Sequence, residues 1–168
     1  MGIDLGQKKA AFSVWERRHR KITMVEIEAY VSDAIDRQSQ LRDVSSFIYD
    51  AVEEIRPDYV FIEEPLVGRN VKDSLKVAMC YGAVLSDLGW RDLDGPIQLI
   101  PVNVGHWKKA TVGKGNASKS DVASWLDGLD HVYSVLCEGD QDRIDAAAIG
   151  RYGIGLVGIA EEFVSDAG

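Results

Sequence analysis

Four acidic side chains occupy positions that a phosphodiester-cutting site would require. Asp4 lies in the apolar stretch Gly2-Ile3-Asp4-Leu5-Gly6, and Glu63 ends the run Tyr59-Val60-Phe61-Ile62-Glu63. Asp142 and Asp145 open an Ala-rich helical segment, and a spacing of three puts them on one face of that helix. Carboxylates at the edges of apolar runs are costly to bury unless a cation or a donor neutralises them. An all-oxygen set suits a hard, hydrated ion such as Mg2+, with Mn2+ as a substitute. Two such ions about 3.5–4 Å apart can hold a scissile phosphate and activate a water. The residues thus point first to a metal-dependent nuclease.

The elements that must gather these acids can be read from periodicity and turn chemistry. Residues 2–5, 10–16 and 22–29 read as three successive strands, with turns at 6–9 and at the basic run that follows Glu16. Leu41, Val44, Ile48, Ala51, Val52 and Ile55 keep a helical spacing that Pro57 stops. Residues 59–63 form a buried strand, 71–88 a helix, 97–104 a strand and 121–129 a helix. Residues 144–163 form a last helix, broken near its Gly-rich middle. This order predicts a mixed α/β sheet covered by helices, with Asp4 and Glu63 at the ends of neighbouring central strands. At 168 residues, with no internal repeat and no linker, the expectation is one domain over residues 1–168.

A net charge of −8 argues against a general nucleic-acid coating protein. The positive residues are clustered, however: Arg17, Arg18, Arg20 and Lys21 in one run, and Lys108, Lys109, Lys114 and Lys119 in another. A locally basic face on an acidic body can bind phosphates while the remaining surface weakens non-specific binding; the plainer alternative is two solvated loops. Cys80 and Cys137 have no metal-site or redox spacing and read as reduced thiols. No apolar run approaches the roughly 20 residues of a membrane span, and no basic-then-apolar signal opens the chain. A cytoplasmic protein without a membrane partner is expected.

Four segments then occur in a telling order: Gly2-Ile3-Asp4-Leu5-Gly6, Phe61-Ile62-Glu63-Glu64, Val112-Gly113-Lys114-Gly115-Asn116-Ala117-Ser118-Lys119 and Asp142-Arg143-Ile144-Asp145-Ala146-Ala147. Together they resemble the RuvC family of Holliday junction resolvases in the ribonuclease H-like superfamily. The resemblance runs from Gly2 to about Tyr152. It implies a ribonuclease H-like fold with a central five-stranded sheet flanked by helices. It also implies a homodimer that binds four-way junctions and other branched DNA and makes symmetric nicks with two Mg2+ ions per site.

The resemblance gives Asp4, Glu63, Asp142 and Asp145 as metal-binding catalytic acids. It gives Lys119 as a catalytic lysine that stabilises charge on the phosphate, and Lys108 as a basic residue on the DNA path. The loop around Lys114 would bring backbone amides to a phosphate, and Ser118 to Asp121 fit a capping box that starts a helix there. No nucleophilic side chain and no small-molecule cofactor are required, so His19, His106 and His131 are left with surface or packing roles. One departure concerns the third position after the catalytic glutamate, aromatic in bacterial members. Here it is Leu66, which with Arg69 belongs to the expected DNA-contacting loop. Leucine can wedge between bases but cannot stack as a ring does. An acidic, divergent member of this kind fits a bacteriophage or mobile-element version acting in a host cytoplasm. Two alternatives stay open: an rRNA-processing or flap nuclease of the same superfamily, and an actin-like ATP-binding module suggested by the opening motif alone.

Overall fold

Alternating apolar positions in three successive segments build the antiparallel half of a five-stranded sheet. In the computed structural model, which describes residues 1–68, 70–90 and 97–165, these strands are β1 (Gly2–Leu5), β2 (Lys9–Arg18) and β3 (Lys21–Val31). The chain continues through α1 (Arg37–Ile55), β4 (Tyr59–Glu63), α2 (Val71–Trp90) and β5 (Gln98–Val102). It ends with α3 (Val104–Val112), α4 (Lys119–Leu129), α5 (His131–Leu136) and α6 (Gln141–Ser165). The sheet order is β3-β2-β1-β4-β5. The strand β2 is antiparallel to β1 and β3, whereas β4 runs parallel to both β1 and β5. This is the mixed sheet that the element order predicts.

Each face of the sheet has its own core. Ile3, Leu5, Val60 and Ile62 pack with Val44, Ile48 and Val52 of α1 and Val84 of α2. Phe61 and Val102 pack on the other side with Trp107 of α3, Val122 and Leu126 of α4, and Ile149 of α6. Strand side chains alternate between faces. Asp4, between Ile3 and Leu5, and Glu63, after Ile62, are therefore turned toward the layer that contains α6.

The helix α6 lies unusually close to the sheet. A Cβ on Gly2 would meet the backbone nitrogen of Gly150 at 2.2 Å and the carbonyl oxygen of Ala146 at 2.7 Å. Glycine at position 2 and small residues along α6 allow this approach. The strand β2 secures it with polar side chains on alternate positions. Ser13 Oγ donates to the Ala146 carbonyl at 2.7 Å, and Arg17 Nη2 donates to the Ile154 carbonyl at 2.8 Å.

Several expectations change. The last helix is not broken: α6 runs continuously from Gln141 to Ser165, because Gly150 and Gly153 are its contact points with Trp15 and Phe61. The strand expected over 97–104 stops at Val102, and Asn103 caps α3, accepting from the amides of Gly105 and His106. Of the first basic run, Arg17 is engaged with α6 and Arg18 pairs with Glu16 at 2.8 Å, leaving a short turn at His19 and Arg20. Lys108 and Lys109 lie on α3 and not in a loop. Cys80 and Val84 of α2 are fully buried, and burial pushes the Cys80 thiol up to about 11. Cys137 is also a free, buried thiol.

Candidate active site

The register of β1 against β4 sets the first pair of acids. Gly2 lies opposite Phe61 and Ile3 opposite Ile62, so one step further puts Asp4 beside Glu63. The close seat of α6 on β1 brings the first turn of that helix to the same end of the sheet. Asp140 Oδ1 caps this turn, accepting from the amides of Asp142 and Arg143 at 2.8 and 3.1 Å. Asp142 and Asp145 thus face Asp4 from a rigid, capped helix end.

The electrostatics show that the four carboxylates share one site. Burial lifts the Asp4 carboxyl well above its usual range, and Glu63, Asp145 and Asp142 add to the effect while Lys9 opposes it. Glu63 is raised by burial and by Asp145, against a hydrogen bond from Trp107 and the charge of Lys108. Burial raises Asp145 as well, with Gln141, Lys108 and Lys119 pulling the other way. Like charges in a partly buried site disfavour ionisation unless a cation is present.

Each of the remaining acids is engaged by a protein donor. Trp107 Nε1 donates to Glu63 Oε2 at 2.7 Å, Gln141 Nε2 donates to Asp145 Oδ1 at 2.9 Å, and the Lys9 ammonium pairs with Asp142. Burial would lower the Lys9 ammonium, but the bond to and charge of Asp142, with Asp4 and Asp140, hold it above its ordinary value. Among the described residues no group of three or more acid, imidazole or thiol side chains is drawn together closely enough to hold a metal ion as it stands. The donor set still fits a hard divalent ion: all its ligands are carboxylate oxygens, and an ammonium group already supplies positive charge against Asp142.

The basic residues divide by position. Lys108 is half-buried, and its ammonium donates to the Ala117 carbonyl at 3.2 Å. Its charge reaches both Glu63 and Asp145, whereas that of Lys119, exposed on the first turn of α4, reaches Asp145. Ser118 and Asp121 form the expected capping box at the start of α4. Lys114 lies exposed in the loop after Gly113, whose left-handed backbone (φ 88°) ends α3. Leu66 is exposed in the segment after β4, and Arg69 lies outside the described residues. Sequence reasoning missed Trp107, Lys9 and Gln141. The only signal for Trp107 was chemical, since a buried indole N–H needs an acceptor.

The family model for the crossover junction endodeoxyribonuclease RuvC matches residues 1–150. The chain belongs to the RuvC family. A RuvC of Chlamydia caviae is 30% identical over 154 residues, covering 89% of this chain and 88% of that one. Among solved structures, Thermus thermophilus RuvC in complex with a Holliday junction substrate gives a TM-score of 0.65 at 21% identity, covering 90% of this chain and 94% of that one. The yeast mitochondrial Holliday junction resolvase Ydc2 gives 0.62 at 15% identity, covering 90% and 75%. These two establish the fold of this RuvC-family chain as that of the resolvases. No helix among its described residues is long and apolar enough to cross a membrane.

Proposed function

We propose that this RuvC-family endonuclease resolves Holliday junctions, and acts on other branched DNA, by paired nicks from two copies of the site built on Asp4, Glu63, Asp142 and Asp145. The observation that carries this reading is the convergence at one end of the sheet of Asp4 and Glu63, from neighbouring parallel strands, with Asp142 and Asp145 from the first turns of α6. Asp4 and Glu63 offer oxygens from two adjacent strand ends, while Asp142 and Asp145 offer theirs from a helix face. Mg2+ or Mn2+ held there would supply a hydroxide from bound water and stabilise the leaving 3′-oxygen. A bound ion would take the place of the Lys9 ammonium as the positive partner of Asp142. Lys119 and Lys108 steady the negative phosphate in front of the acids, and Lys114 with the 113–115 backbone holds a neighbouring phosphate. Leu66 stands at the junction side of the site, where it separates bases without reading them. The cytoplasm, in a bacterial or phage-infected cell, is the setting this reading implies.

Asp4→Asn and Glu63→Gln are expected to bind four-way junctions as the unaltered chain does and to lose cutting, because fold and basic surface remain. Cleavage-site mapping on mobile junctions of several sequences, with linear duplex and RNA–DNA hybrid as controls, decides the substrate. Cuts should follow the branch point with little sequence preference. Full cutting by either variant, or cutting of the hybrid without the junction, sinks the assignment.

A further inference from the structure

We propose that Trp107 is a positioning residue of the nuclease site, its indole N–H holding one oxygen of Glu63 so that the other faces the ions and the scissile phosphate. The inference rests on the reading of Glu63 as a metal ligand. Trp107 is 1% exposed, and its Nε1 lies 2.7 Å from Glu63 Oε2. The bond joins α3 to the end of β4 across 44 positions of chain. Any buried indole N–H needs an acceptor, and the one Trp107 meets is a carboxylate of the acid cluster. The contrast is Trp15, also buried, whose Nε1 donates to Ser13 Oγ at 3.2 Å, away from any acid.

The ring that holds Glu63 is itself held. It packs with Phe61 and Val102 in the core on that side of the sheet. The Trp107 carbonyl accepts from Thr111 Oγ1 at 2.8 Å within α3, and α3 is capped by Asn103 and Gly113. The Lys108 ammonium lies 5.4 Å from the ring centroid, so one short helix presents a basic group toward the acids and orients one of them. A carboxylate with one oxygen fixed in this way loses less freedom when an ion takes the other. Outer partners of metal-binding side chains are typically worth about 10–100-fold in metal affinity or activity.

Trp107→Phe keeps an aromatic ring in the core and removes the donor. It is expected to leave junction affinity in Ca2+ within about twofold, to slow cutting by about 10–100-fold and to raise the Mg2+ concentration for half-maximal rate. The second measurement uses the folded, unaltered chain, whose four tryptophans are 15N-labelled. The Trp107 indole resonance, assigned by single Trp→Phe changes at positions 15, 90 and 125, should exchange slowly with solvent. It should move in Glu63→Gln and on Ca2+ titration, while the other three stay in place. An indole unmoved by Glu63→Gln overturns the inference, as does a folded Trp107→Phe chain with unchanged rate and Mg2+ requirement. Absence of junction cutting by the unaltered chain would instead count against the proposed function, and the indole response would still test the bond.

Discussion

At the residue scale the site is a concentration of negative charge waiting for positive charge. Asp4, Glu63 and Asp145 each keep their protons to higher pH in the folded chain than in the unfolded one. Over the range above the ordinary carboxylate values the folded state therefore binds more protons than the unfolded state. The sign follows from linkage: stability of the metal-free protein is fullest at the acid side of that range and falls as pH rises through it. A divalent cation that binds the ionised, folded site opposes the loss. The gain in melting temperature on adding Ca2+ or Mg2+ should thus be larger at about pH 8 than at about pH 5, and most of it should vanish in Asp4→Asn. An equal gain at both pH values, or one that survives in Asp4→Asn, would mean that the ion binds elsewhere. Asp4 and Glu63 were legible in the sequence because carboxylates are rare at the ends of buried strands, and Asp142 and Asp145 because they open an Ala-rich helix three positions apart. Their donors were not: nothing in the spacing of Lys9 or Trp107 reveals which acid each will meet, since both contacts depend on packing between distant elements.

At the element scale α6 is the part that turns two sequence motifs into one site. Its position is fixed where Gly2 meets Gly150, backbone against backbone, and neither partner can yield by changing a rotamer. Gly2→Ala should force α6 away from β1, costing about 1–3 kcal/mol as overpacked cores do. The displacement moves Asp142 and Asp145 relative to Asp4, and a shift of about 1 Å at reacting groups can cost about 100-fold in rate. Gly128→Ala is the control. It is exposed on α4, a Cβ there meets nothing within 4 Å, and it should stabilise by about 0.5–1 kcal/mol. Thermal unfolding and cutting rate together check this; a Gly2→Ala chain with native melting and native rate would show that α6 is not set by this contact. The sheet and the long helices were readable because their apolar periods are strong. The short helix α3 was not, since it buries one residue, Trp107, among polar and glycine neighbours. The glycines of α6 misled for a related reason: in sequence they resemble breaks, whereas in the fold they let a helix lie flat on a sheet.

At the scale of the whole molecule, an acidic body carries a basic edge around one acid-rich site, and a four-way junction has two-fold symmetry. Paired nicks in opposing strands need two sites related by that same symmetry, hence an isologous dimer. The core contents of α2 remove Cys80 and Val84 from any such contact, but Val71, Leu75 and Met79, one turn apart in succession, remain 64%, 60% and 44% exposed. Val67 extends the apolar surface from the segment before α2. Leu75→Glu puts a charge in the middle of this stripe without entering the core, so the chain should fold normally. By light scattering at micromolar concentration the unaltered chain should be a dimer and Leu75→Glu a monomer. On a junction that reports both strands, the variant should give singly nicked products in place of paired cuts, with each site chemically intact. A monomeric unaltered chain, with and without junction DNA, would remove the dimer; a Leu75→Glu chain that still dimerises would move the interface off α2 and leave the symmetry argument standing.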